Sequence, residues 1–291
     1  TSPSSPNLMM NAALALVIGI GLAAGLIFLL EKIDSSVRDP QEVTSRFGLP
    51  LLGAIPELEG QAVAESILDK KSPIYEAYVS LMTSLGFMTT HGTPRSVMLT
   101  SSQPKEGKSN SSLCLATVMA ATGKSVILVD ADVRNPSLNR YLEIPNERGL
   151  SHYLSGDDGI DSMIEELPKY GFSVITAGRM PPNAAELLGG DRFGTLIRTL
   201  EKRFDHILID SPPLLGLADA PLIARHVEGV LFTIEANRTK SRAIATSLMR
   251  LRMAGAKLFG AVVIKVGAKN QLYGYGYGYG YGYSYGASDE K

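Results

Sequence analysis

Gly107-Lys108-Ser109 follows a short apolar run, SVMLT (96–100), and opens a segment with helical character (108–122). A glycine turn between strand and helix aims backbone N–H groups at one spot, where the helix dipole also favours an anion. The lysine of such a loop reaches the β- and γ-phosphates of a nucleotide, and the serine hydroxyl ligates Mg²⁺. The nucleotide-binding reading covers Ser102, Gln103, Pro104, Lys105, Glu106, Gly107, Lys108, Ser109 and Asn110. The full pattern places glycine five residues before Gly107, and Ser102 stands there instead. The motif therefore leans on its strand–loop–helix context.

Three carboxylates close other apolar runs. SVILVD (125–130) ends in Asp130, Asp132 follows on the same side of an extended chain, and HILID (206–210) ends in Asp210, the place of a Walker B aspartate. Mg²⁺ is a hard cation that takes few carboxylates and completes its shell with phosphate and water. Strand-terminal aspartates also cap turns and helices. Their concurrence beside a Gly-Lys-Ser loop favours phosphoryl transfer, which needs charges positioned around a polyphosphate.

These residues need a frame. The runs at 96–100, 125–130, 172–176, 206–210, 229–234 and 258–264 are apolar throughout, and helical candidates at 108–122, 191–203 and 239–254 lie between them. Continuous apolar strands alternating with helices predict an α/β, P-loop NTPase-like parallel sheet with helices on both faces. Ligands in such sheets bind at the C-terminal strand ends. Upstream, Gln41–Phe47 reads as a short helix, Leu51–Ile55 as a short extended segment and Tyr75–Met88 as an amphipathic helix.

Residues 8–30 carry no charge and are long enough for a membrane-crossing helix. Gly21 and Gly25 have the spacing that lets two such helices approach, which leaves helix association open. Lys32 and Arg38 follow the segment, placing its C-terminal side in the cytoplasm by the positive-inside rule. The organisation expected is a membrane helix with flanks (1–34), a juxtamembrane linker (35–73), a catalytic domain (74–268) and a tail (269–291). A chain opening on Thr1 is expected to be a piece of a longer protein. With 28 basic and 29 acidic residues there is no charge argument for nucleic acid. One cysteine, Cys114 in SSLCLAT, excludes an internal disulfide and reads as a small buried hydrophobe. The four histidines show no metal-ligand spacing.

The motifs MLTSSQPKEGKSN, ILVDADVR and HILIDSPPLLGLADA resemble the Walker A, A′ and B motifs of the bacterial tyrosine kinases, cytoplasmic domains of polysaccharide co-polymerases. RDPQEVTSRFGLPLLGAIP and PPNAAELL are similar to family segments, so the resemblance covers nearly the whole chain. It implies ATP and Mg²⁺ as cofactors. Lys108 would neutralise the transferring phosphate, while Ser109, Asp132 and Asp210 would hold Mg²⁺. Asp130 would accept the tyrosine proton, and Arg134 would orient the site or a neighbouring subunit. Spacing alone does not decide which aspartate is the base. It further implies the bacterial inner membrane, a homo-oligomer, the polysaccharide polymerase and export machinery, and a cognate tyrosine phosphatase.

Two positions depart from the family pattern. Glu76 remains in EAYVSLM, but Val79 and Met82 replace two arginines of a ring-forming segment, and Lys265 replaces an asparagine that contacts the base. The ring and the base contact are open at this point. The tail completes the resemblance. Tyr273, Tyr275, Tyr277, Tyr279, Tyr281, Tyr283 and Tyr285 alternate with glycine or serine, a pattern that cannot build a core. As kinase substrate they are autophosphorylation sites; an extended tail would also put all its tyrosines on one face for strand pairing. The competing readings are a partition-type ATPase, whose signature lysine would replace Ser102, and a membrane-anchored, nucleotide-switched scaffold without kinase activity.

Overall fold

The computed structural model describes residues 8–33, 36–58 and 63–267. The tyrosine-rich tail lies outside them. The chain divides into two units between Ser36 and Val37.

The first unit is helix α1 (Leu8–Ile33). Its stretch Met9–Leu26, 18 residues, has a mean hydropathy of 2.0 and none of it is buried in protein. At 1.5 Å per residue this segment alone covers ~27 Å, close to the ~30 Å hydrocarbon layer of a bilayer. It is apolar around its whole circumference, as a lipid-facing helix must be.

The second unit alternates helices and strands. Helix α2 (Glu42–Phe47), strand β1 (Leu51–Pro56), α3 (Val63–Ser66) and α4 (Pro73–Gly86) lead to β2 (Ser96–Ser101), α5 (Lys108–Ala120), β3 (Val126–Asp130), α6 (Leu138–Leu142) and α7 (Leu150–Leu154). Then come β4 (Ile164–Leu167), β5 (Phe172–Ile175), α8 (Ala184–Gly189), α9 (Asp191–Leu200), β6 (His206–Asp210), α10 (Asp219–Ala224), β7 (Gly229–Glu235), α11 (Ser241–Met253) and β8 (Leu258–Val266). The strands form one sheet in the order β1-β8-β7-β2-β6-β3-β5-β4. The central strands β2, β3 and β7 are buried along their whole length, which is why they read as unbroken apolar runs. One apolar core lies under α2 and α7–α11, the other under α3–α6.

Six of the strand pairings are parallel, and only β4–β5 is antiparallel. Strand β4 (IEEL) was not visible as a run because Glu165 and Glu166 are exposed. Charges on such a terminal strand discourage edge-to-edge association.

The stretch expected as a linker is part of this body. β1 pairs in parallel with β8, and Val37, Val43, Leu49, Leu52 and Ile55 are all buried. Val37 and Val43 stand singly among polar residues, and LLGAI (51–55) is a single short run that read as extended chain with no partner strand in view.

Helix α4 begins where the Ser72 hydroxyl accepts from Tyr75 N and Pro73 presets the first turn. Ile74, Tyr78, Leu81 and Leu85 fall on one face and are buried, while Glu76 is exposed. Val79 and Met82 are half-buried on the flank, packed against the core beneath α3–α6. Both therefore serve packing within the chain.

Candidate active site

Strand β6 lies between β2 and β3, so the loops leaving these three strands meet at one sheet edge. Asp130 and Asp210 are register partners, which sets their carboxylates side by side. Lys108 is the first residue of α5, after Gly107 in a left-handed conformation (φ 71°). A Cβ at Gly107 would also meet the movable end of Ile264, so the left-handed backbone is the main reason for glycine here. The Lys108 ammonium stands 3.0 Å from Asp132 Oδ2 and 3.6 Å from Asp210 Oδ1.

Three buried carboxylates thus share one buried ammonium. Burial opposes the charge of Lys108, but Asp210 and Asp132 outweigh it and push the ammonium up to about 12. Burial, reinforced by the charge of Asp210, pushes Asp130 up to about 8. Burial likewise raises Asp210, against the pull of Lys108. Like charges buried close together disfavour joint ionisation, so a cation beside them would relieve the repulsion.

The three aspartates are not equivalent. Asp130 Oδ1 accepts from Asp132 N (3.1 Å) and its Oδ2 from Leu138 N (3.3 Å), tying both ends of the β3–α6 loop. It does not line the cavity in front of the site. Asp132 does, and Asn135 N donates to its Oδ1. Asp210 Oδ1 accepts from the Ser112 hydroxyl at 3.3 Å, whereas its buried Oδ2 has no hydrogen-bond partner among the described residues. An orphaned buried carboxylate oxygen is costly unless a water or an ion meets it. The Ser109 hydroxyl, on the cavity wall, accepts from Ser137 Oγ at 2.8 Å. Oxygen donors of this kind fit Mg²⁺. Among the described residues no three His, Cys, Asp or Glu side chains close a cage, and Mg²⁺ needs none when phosphate and water supply other ligands.

The cavity has a volume of about 550 Å³. Pro104, Lys105, Gly107, Lys108, Ser109 and Asn110 of the phosphate loop line it, as do Asp132, Arg134, Asn135, Arg140 and Tyr141 from β3 onward. Its apolar end includes Ile55, Leu58, Val63 and Ile74. Of the loop residues expected to bind nucleotide, Ser102, Gln103 and Glu106 do not reach the cavity.

Glu106 turns the other way. It is buried, its Oε2 accepts from Gln103 N at 2.9 Å and its Oε1 from the Thr239 hydroxyl at 2.9 Å. The same hydroxyl accepts from Glu235 N (3.0 Å). Arg238 donates to the Lys105 carbonyl and to Glu235, each at 2.8 Å. Lys265, with φ 54°, donates to Glu235 at 2.7 Å and lines the cavity where the base contact was expected. The β7–α11 turn thus braces the phosphate loop from behind. Sequence reading missed Thr239 and Arg238, because their use depends on a contact 133 residues away. It also missed Arg250, which donates to the Leu214 and Leu217 carbonyls after β6, and Asp219, the partner of Arg134. Only the short distance from Asp210 in HILIDSPPLLGLADA could have drawn attention to Asp219.

The family described as an AAA domain matches residues 105–245. Among curated proteins, the tyrosine-protein kinase YwqD of Bacillus subtilis is 32% identical over 211 residues, covering 72% of this chain and 89% of its own length. The tyrosine-protein kinase Etk of Escherichia coli is 29% identical over 290 residues, covering 90% of this chain. The chain spans 39% of the Etk length. Among solved structures, the kinase domain of the Escherichia coli tyrosine kinase ETK superposes with a TM-score of 0.75 at 29% identity, over 85% of this chain and all of that one.

Proposed function

The chain belongs to the bacterial tyrosine kinase family, and on that premise we propose that it is an ATP-dependent autokinase whose substrates are tyrosines 273–285 of its own tail or of a neighbour's. The observation that carries this reading is Lys108 held between Asp132 and Asp210 at the N-terminus of α5, beside a cavity of nucleotide size.

The polyphosphate rests on the backbone N–H groups at the start of α5, where the dipole favours it. Lys108 exchanges Asp132 for the β- and γ-phosphates. Asp132, facing the cavity, is then the group that takes the phenol proton, since a tyrosine hydroxyl with an ordinary pKa near 10 stays protonated at neutral pH. Asp130, expected as the base, is assigned instead to shaping the β3–α6 loop, because backbone N–H groups hold both its oxygens. Ser109 and Asp210 would hold Mg²⁺ with help from Asp132, and the ion would supply charge neutralisation on the phosphates. In the transfer the bond from the γ-phosphorus to the bridging oxygen of ADP breaks, a bond to the phenol oxygen forms, and the proton passes to the carboxylate.

Strand β8 contributes Ile264 and Lys265 to the cavity wall and ends at Val266. Tyr273 follows Gly267 by six residues, a reach of up to ~20 Å extended. Each phosphotyrosine adds roughly −1.5 to −2 charges, so a modified cluster repels its neighbours and favours subunit dissociation. The setting is the bacterial inner membrane, spanned by α1 with the catalytic body in the cytoplasm. There the chain works with polysaccharide polymerisation and export machinery, and a phosphatase resets the tail.

The test is a phosphotyrosine assay with Mg-ATP on the parent and on Lys108→Met. The parent gains phosphotyrosine and the variant loses at least about a thousandfold in rate; a parent that binds nucleotide and never gains phosphotyrosine refutes the proposal. Sedimentation of fully phosphorylated against phosphatase-treated protein tests the assembly cycle. Unchanged association would remove it.

A further inference from the structure

Arg134 lies in the turn after β3 and lines the cavity. Its Nε donates to Asp219 Oδ2 at 2.6 Å and its Nη2 to Asp219 Oδ1 at 3.1 Å, so both carboxylate oxygens are engaged edge-on. The Asp219 side chain is fully buried, whereas that of Arg134 remains 32% exposed. Hydrogen bonding to Asp219 is the main reason the guanidinium holds its proton more tightly than usual.

Asp219 opens α10, whose Ala220, Ile223 and Ala224 are buried in the core under α7–α11. Its place is fixed by packing, and the arginine is fixed by it. A guanidinium has five N–H donors in a planar fork. The bidentate contact takes one edge, and the Nη1 donors remain on the other. Arg134 lines the same cavity as Asp132, Lys108 and Ser109, and the charge of Asp132 acts on its guanidinium. Stability alone gives little reason for such a pair, because a buried ion pair is often no better than well-packed apolar residues. A partly exposed cation on a cavity wall, fixed by a buried carboxylate, is instead the form that preorganised charge takes in phosphoryl transfer.

We propose that Asp219 is a positioning residue for the transfer step: it holds Arg134 with its Nη1 edge toward the phosphoryl group as that group passes from ADP to the tyrosine oxygen. The role rests on the kinase reading above. Arg134 is spent on the moving phosphoryl group, not on nucleotide affinity, which the phosphate loop supplies. Asp219 acts only through Arg134.

The experiment compares the parent chain, Arg134→Lys, Asp219→Asn and the double variant. It measures the rate of tail phosphorylation at saturating Mg-ATP, the Kd of a fluorescent ADP analogue, and the melting temperature. Asp219→Asn keeps the side-chain volume but removes the charge and one acceptor. The expected result is a loss of about 10- to 100-fold in rate for each single variant, with the Kd for nucleotide changed less than about threefold. The double variant should be no slower than the worse single one, because the two residues act as one unit. If Asp219→Asn melts lower but phosphorylates at the parent rate below its melting temperature, Asp219 is structural only and the proposal falls. Additive losses, or losses confined to nucleotide Kd, overturn it as well. A parent that binds the ADP analogue yet transfers no phosphate overturns the kinase reading, and this role with it.

Discussion

The phosphate loop has a front and a back, and both bury charge in opposite ways. In front, Lys108 is shared among Asp130, Asp132 and Asp210, one carboxylate oxygen has no partner among the described residues, and two of the acids are driven above their ordinary range. At the back, both oxygens of Glu106 are satisfied, Thr239 both donates and accepts, and Glu235 holds Arg238 and Lys265. A satisfied network fixes shape. An unsatisfied one stores a demand for a ligand, at the expense of stability. The difference is how one loop can be both rigid and reactive.

Substitutions should therefore separate the two sides. The largest effect is expected in front: Asp210→Asn should lower the transfer rate about a hundredfold or more and raise the Mg²⁺ concentration needed. Because it removes one of three crowded carboxylates, its melting temperature should stay level or rise. A clear fall in melting temperature would mean that the front is built for stability after all.

At the back the pattern should reverse. Thr239→Val keeps the shape but leaves a buried Glu106 oxygen and the Glu235 N–H without their partner, a cost of about 1–3 kcal/mol in denaturant unfolding. The rate at low temperature should change by no more than a few-fold. A large loss of rate without loss of stability would erase the distinction between the two sides.

The smallest effect is a pH dependence. Burial raises Glu106 above the ordinary carboxylate value, so the native chain keeps a proton that the unfolded chain has released. Stability from this group is complete below the ordinary Glu range near 4.3 and is lost as pH rises through the raised value. Glu106→Gln should flatten that part of the stability profile. An unchanged slope would show that Glu106 does not titrate differently in the fold.

The front was legible in the sequence and the back was not. Gly107-Lys108-Ser109, Asp132 and Asp210 announce themselves because strand-end chemistry is local: an apolar run, a turn and a charge. The central strands were legible for the same reason. Strand β1 read only as a short extended segment because its partner β8 lies far along the chain, and β4 was missed because two glutamates interrupt it. Thr239, Arg238, Asp219 and Arg250 work through contacts across the fold, and an isolated Thr or Arg on a loop or helix looks like ordinary surface. Asp130 shows the limit from the other side. The resemblance implied a base there and spacing left the choice among the aspartates open; the two backbone hydrogen bonds behind the other assignment depend on the turn's conformation.

The most direct test of the account uses the tail. No lysine or arginine lies between Asn270 and Glu290, so trypsin releases all seven clustered tyrosines in one peptide. After incubation with Mg-ATP, the mass of that peptide should show a ladder of up to seven phosphate additions, absent from Lys108→Met. A peptide that stays unmodified while the protein binds the nucleotide would contradict the account and leave a switch without a kinase.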